Sequence, residues 1–91
     1  MGERLSISVV LPTFNRGHMI ERAVRSVLKQ LAHHDELIVV DDGSTDDTQK
    51  VLEGYGDRIH FIRTEKRGAG ASRNSGVTHA AGQLVAFIDS E

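Results

Sequence analysis

Asp89 and Glu91 stand two residues apart, directly after the apolar run Leu84-Val85-Ala86-Phe87-Ile88. On extended chain, residues so spaced project from one face. Two carboxylates on one side can share a hard divalent cation, Mg²⁺ or Mn²⁺, which prefers oxygen ligands and bridges to phosphate. Solvated acids at a chain end have the same spacing. A second acidic pair, Asp41-Asp42, ends the run Leu37-Ile38-Val39-Val40. Neighbours on a strand face opposite sides, so the two carboxylates have different tasks. One can accept hydrogen bonds from a ligand, while the other holds backbone amides and shapes the turn at Gly43. A turn and helix cap without a ligand is the competing reading.

A third cluster, Pro12-Thr13-Phe14-Asn15-Arg16, follows Ile7-Ser8-Val9-Val10-Leu11. Thr13 and Asn15 bring small polar groups, and Phe14 brings a ring that stacks on a base or fills a gap. Gly68-Ala69-Gly70-Ala71-Ser72-Arg73 half-matches a dinucleotide-binding fingerprint, with Arg73 where the third glycine belongs. Amides at such a helix start suit phosphate. Lys66, Arg67 and Arg73 add positive charge there. Ala69, Ala71, Gly76 and Ala80 are read as close packing between helix and sheet. The histidines are scattered, and His33-His34 reads as a solvated helix end.

The elements that must hold these clusters alternate. Ile7–Leu11 is β-branched and apolar, and Pro12 is expected to stop it. From about Gly17 to Leu31, Ile20, Val24, Val27, Leu28 and Leu31 recur at helical spacing, with Glu21, Arg22, Arg25 and Lys29 opposite. Leu37–Val40 forms a second buried strand. Ser44 or Thr45 is expected to cap a short helix that runs through about Glu53, with Asp46 and Asp47 in its first turn. Ile59–Ile62 is a third strand, about Ala71 to Ala81 a third helix, and Leu84–Ile88 a fourth strand. The order βαβαβαβ predicts an α/β fold, a Rossmann-like open parallel sheet covered on both faces. Ligands bind such sheets beyond the carboxyl ends of the strands, where the three polar clusters fall.

Composition narrows the function classes. The 91 residues suit one small domain. With 11 basic and 13 acidic residues, the formal net charge of −2 gives no reason to expect nucleic-acid binding. The absence of cysteine excludes disulfides, zinc–thiolate sites and thiol catalysis. No apolar run reaches the ~20 residues that span a bilayer, and Met1-Gly2-Glu3-Arg4-Leu5 has no signal-peptide hydrophobic region. A cytoplasmic location is expected.

Taken together and in order, the motifs resemble those of family 2 glycosyltransferases with the GT-A fold. Ile7 to Arg16 resembles that family's opening, Leu37 to Thr48 its second signature, and Gly68 to Gly76 its third. Phe87-Ile88-Asp89-Ser90-Glu91 is similar to the segment carrying the DxD metal motif, with Glu91 where Asp is usual. The resemblance implies a truncated GT-A fold over residues 6–91, with strand order 3-2-1-4. It implies transfer of a sugar from a nucleotide-diphosphate sugar to an acceptor hydroxyl, inverting and metal-dependent. A UDP-sugar is the leading donor, and the acceptor is unspecified. The nucleotide-binding set it points to is Pro12, Thr13, Phe14, Asn15, Asp41, Asp42, Arg73, Asp89 and Ser90. Within that set, Pro12, Thr13 and Phe14 line the nucleoside pocket, Asp42 bonds the base, and Arg73 lies by the ribose or phosphates. Asp89 and Glu91 are the expected metal ligands. The general base and acceptor site are expected beyond Glu91, so this part alone is expected to be inactive. A non-catalytic remnant or assembly module is the alternative. A nucleotidyltransferase ranks lower, because no Gly-rich basic loop follows the first strand. The fourth strand would lie at a bare sheet edge, which favours a homodimer through that edge.

Overall fold

In the computed structural model, which describes residues 5–89, four parallel strands form one sheet in the order β3-β2-β1-β4. β1 is Ile7–Thr13, β2 Glu36–Asp41, β3 His60–Arg63 and β4 Leu84–Phe87. The connecting helices are α1 (Gly17–Gln30), α2 (Thr48–Glu53) and α3 (Ala69–His79). The expected element order and sheet order are both present.

Alternation along the two central strands divides the core. Val9, Leu11, Leu37 and Val39 face α1 and α2, where they meet Ile20, Val24, Val27 and Leu52. Val10, Ile38 and Val40 face the other way, with Ile62 and Ala80 against them. Strands buried on both faces must be apolar at every position, hence the continuous runs in the sequence. Helix α1 presents its apolar stripe to the first layer. Helix α3 has little apolar stripe and packs through smallness instead. A Cβ added at Gly76 would lie 2.3 Å from Cγ1 of the fully buried Val10. Only glycine allows that approach, which is the packing role expected of this position.

Several boundaries differ from the sequence expectation, α3 starting and ending two residues earlier and β3 shifted by one, and two of the differences have clear physical reasons. β1 continues through Pro12 to Thr13, paired with β2 up to Thr13↔Asp41. Val10 faces β4, accepting a bond from the Ile88 amide, so Pro12 by alternation faces the same way. Its missing N–H falls beyond the last β1–β4 pair, Val10↔Phe87, where no ladder bond is lost. Helix α2 starts at Thr48, and neither Ser44 nor Thr45 caps it. Ser44 is drawn to Asp41, while Asp46 accepts from the Thr48 amide at 2.9 Å. The opposite end of the sheet is tied by Glu36, which accepts from the Ser8 hydroxyl at 2.6 Å and the Ala81 amide at 2.7 Å.

Candidate functional site

At the carboxyl ends of the strands, an open hollow of about 180 Å³ is lined by Pro12, Thr13, Phe14, Arg16, Asp42, Ala69, Ser72, Arg73 and Asp89. Six of these were singled out from the sequence: Pro12, Thr13, Phe14, Asp42, Arg73 and Asp89. The tips of β1, β2 and β4 therefore share one cavity, roofed by the first turn of α3.

The backbone around the hollow is held by long-range polar contacts. Asn15 adopts a left-handed φ of 51°, a conformation that Asn tolerates better than most residues. Its amide donates to Ser44 Oγ at 2.8 Å, and its Oδ1 accepts from the Thr45 amide at 2.8 Å. Asn15 thus staples the loop after β1 to the loop after β2, and it is not among the residues lining the hollow. The Gly17 amide adds a second tie, donating to Asp46 at 3.1 Å. The Thr48 hydroxyl bond brings the Asp46 pKa down most; burial pushes it back up, and the Thr48 and Gly17 amides lower it further, so that it lies below its ordinary value.

Asp41 and Asp42 divide their work as opposite-facing neighbours should. Asp41 is fully buried. It accepts from the Ser44 amide at 3.1 Å and the Ser44 hydroxyl, and pairs with the Arg63 guanidinium at 2.7 Å. Its carboxylate lies outside the hollow's lining and closes the turn instead. Asp42, 5% exposed, does line the hollow. It also holds the loop before α3: Oδ1 accepts from the Thr64 hydroxyl at 3.1 Å and the Arg67 amide at 2.9 Å, and Oδ2 from the Gly68 amide at 2.8 Å. Burial pushes its pKa up, but the amides, the hydroxyl and the Lys66 charge outweigh it and hold the carboxyl below its ordinary value.

The remaining walls are mixed. Phe14 carries the Lys66 ammonium over its ring, 4.0 Å from the centroid. The Arg16 guanidinium makes long contacts, 3.4 and 3.5 Å, to the carbonyls of Phe14 and Asn15. Arg16 and Arg73 place two guanidinium groups on a cavity that also holds Asp89. Arg16 and Ser72 were named in the sequence without a role, and Ala69 was read as helix packing. Polarity alone does not flag a serine within a small-residue helix.

Among the described residues, no group of three or more His, Asp or Glu could hold a metal ion by itself. Asp42 is engaged by the loop, which leaves Asp89 as the carboxylate at the hollow suited to a hard cation. Mg²⁺-type sites commonly use one or two carboxylates plus substrate phosphates; Asp89 supplies one such carboxylate, and the guanidinium groups beside it are suited to the phosphates and not to the metal. Ser90 and Glu91 lie outside the described residues.

An open parallel sheet ordered 3-2-1-4, with a polar hollow at its strand ends, is the amino-terminal part of a GT-A glycosyltransferase fold. The chain belongs to glycosyl transferase family 2, whose sequence profile matches residues 8–90. It is similar to the UDP-Glc:alpha-D-GlcNAc-diphosphoundecaprenol beta-1,3-glucosyltransferase WfgD of Escherichia coli, 40% identical over 87 residues, covering 93% of this chain and 34% of that protein. Mannosyltransferase PcManGT from Pyrobaculum calidifontis, solved with GDP-Man and Mn²⁺, superposes with a TM-score of 0.89 at 26% identity, over 97% of this chain and 28% of that one. Glucosyl-3-phosphoglycerate synthase from Mycobacterium tuberculosis was solved with Mn²⁺, UDP and glucosyl-3-phosphoglycerate. It superposes with a TM-score of 0.81 at 33% identity, over 96% of this chain and 34% of that one. The chain spans about a third of the length of these relatives.

Proposed function

We propose that this chain is the donor-binding part of a glycosyltransferase that moves a sugar from a nucleoside-diphosphate sugar to an acceptor hydroxyl with inversion. One observation carries the reading: Phe14, Asp42, Arg16, Arg73 and Asp89 line one hollow at the carboxyl ends of the strands. An aromatic ring and a carboxylate suit a nucleobase, and guanidinium groups suit a diphosphate. Family membership and relatives solved with UDP or GDP-Man support the same assignment.

In this mechanism Phe14 and Pro12 bound the base, while Asp42 faces its polar edge. Arg73 and Arg16 neutralise the diphosphate and so favour its departure. Asp89, with Glu91, would hold a divalent ion, which supplies Lewis-acid stabilisation of the leaving diphosphate. The base that deprotonates the acceptor has no candidate in the hollow's lining and is assigned to the remainder of the domain.

Titration calorimetry with UDP, dTDP and GDP in Mn²⁺ tests the reading. Binding of a nucleoside diphosphate is expected, weakened by chelation of the metal and by Asp89→Ala. A folded sample that takes up none of the three refutes it.

A further inference from the structure

Lys66 is an exposed residue on the loop before α3, and its ammonium lies over the face of the Phe14 ring, 4.0 Å from the centroid. Both partners project from fixed backbone. On one side, the Thr64 amide donates to the Asp41 carbonyl at 2.9 Å, and the Arg67 and Gly68 amides donate to Asp42 at 2.9 and 2.8 Å. Lys66 stands between these tied residues. Its backbone also packs on Gly43, where φ is +77° and an added Cβ would come within 3.0 Å of the Lys66 nitrogen. On the other side, Phe14 stands between Thr13, the last residue of β1, and Asn15, which bonds Ser44 and Thr45.

The contact closes a circuit of loops around the hollow. Asn15 joins the loop after β1 to the loop after β2, and Asp42 joins the tip of β2 to the loop after β3. Lys66 on Phe14 joins the loop after β3 back to the loop after β1. The sequence groups Lys66 with Arg67 and Arg73 as charge for a phosphate, but the fold sets its charge on a ring instead. Phe14 lines the hollow and Lys66 does not. The ammonium therefore caps the side of the ring turned from the cavity and leaves the other side to a ligand. A half-buried ring on a loop has rotamer freedom to lose when a base stacks on it, and holding it beforehand removes that cost from binding.

We propose that Lys66 is a positioning residue for the donor, acting through Phe14: it fixes the ring as a stacking surface for the nucleobase and does not pair with the diphosphate. The proposal rests on the donor-binding reading above and deepens it, since that reading makes no use of Lys66.

The test is calorimetric titration with UDP, dTDP and GDP in Mn²⁺, following whichever the unmutated protein binds most tightly. The samples are the protein, Lys66→Gln, Lys66→Arg, Phe14→Leu, and Lys66→Gln combined with Phe14→Leu, each with a thermal melt. Lys66→Gln should weaken the nucleotide by about two- to fivefold, the worth of one exposed cation–π contact. Lys66→Arg should retain the affinity, because a guanidinium also stacks on a ring. In the Phe14→Leu background, Lys66→Gln should have little effect. A cation that met the diphosphate directly would weaken binding equally in both backgrounds, and that result overturns the proposal. The matching nucleoside, which carries no phosphate, separates the two roles again. Lys66→Gln should weaken it by the same factor as the diphosphate, and an unchanged nucleoside affinity overturns the proposal. So does a Lys66→Gln protein with lowered melting temperature and unchanged nucleotide affinity, the signature of a role in stability alone. Should Phe14→Leu bind too weakly to measure, the nucleoside comparison decides. Binding of no nucleotide by the folded, unmutated protein overturns the donor-binding reading itself, and this inference with it.

Discussion

Asp42→Asn separates the structural work of Asp42 from its place at the hollow. In the native protein its two oxygens accept from one hydroxyl and two amides, with Thr64 and Arg67 on Oδ1 and Gly68 on Oδ2. Asparagine keeps one carbonyl oxygen and replaces the other acceptor with an NH₂ donor. If the oxygen faces Thr64 and Arg67, the NH₂ confronts the Gly68 amide, and the flipped amide is worse. One charge-assisted bond is lost outright, about 1.5–3 kcal/mol, and the other two lose their charge assistance. Gly68 is exposed, so water can recover part of that loss. The expected cost is about 2–3 kcal/mol, a large share of the stability of a small domain.

Acid provides the control. The Asp42 pKa is below its ordinary value in the fold, so its contribution is fully present above the unfolded value near 4 and disappears as pH falls through the lower folded value. Urea unfolding of both proteins should show the full difference at about pH 7, shrinking steadily below about pH 4 as the native carboxyl takes up a proton. Asp46 and Glu36 also titrate below their ordinary values, but they are common to both proteins and cancel in the difference. A difference that is unchanged by acid, or below about 0.5 kcal/mol at neutral pH, would refute the assignment of these three bonds.

Three further substitutions probe the frame. Gly76→Ala should destabilise by about 1–3 kcal/mol despite alanine's better helix propensity, because its Cβ would meet Val10 Cγ1 at 2.3 Å. Adding Val10→Ala should recover part of that loss in urea melts, and a simply additive double variant would contradict the contact. Arg63→Ala should cost about 2–4 kcal/mol by chemical denaturation, at least as much as Asp41→Ala, because it strands the fully buried Asp41 carboxylate without its counter-charge. Asp41→Ala loses the anchor on Ser44, but the Arg63 it leaves behind is 37% exposed and can turn to water. Finally, β4 stands at the sheet edge with Leu84, Val85 and Phe87 between 38% and 49% exposed. Light scattering at high concentration should detect self-association that Val85→Lys reduces; a monodisperse monomer before mutation would count against it.

The element order and the double burial of the central strands β1 and β2 were readable because they follow from local composition, whereas the equally apolar β4 is exposed at all four residues. Continuous apolar β-branched runs separated by an amphipathic segment leave few alternatives. Placing the polar clusters at one end followed from parallel strands, which bring all their carboxyl ends together. The division between Asp41 and Asp42 was readable only as a statement that neighbours face apart. Their partners were not, because Arg67 and Gly68 lie 25 and 26 residues along the chain from Asp42. Ser44 shows the same limit: local rules offered it to a helix start, and a fully buried carboxylate took it.

What the chain's order of residues determined by itself is the α/β layering, the site's end of the sheet and the family. Tertiary structure alone decided which polar groups are spent on the fold. Asn15 and Asp41 became staples, Asp42 holds the loop before α3, and the buried hydroxyls of Thr13 and Ser72 have no hydrogen-bond partner among the described residues. The reason is competition. A hydrogen-bonding group takes the best partner within reach, and that set exists only once distant loops have closed on one another.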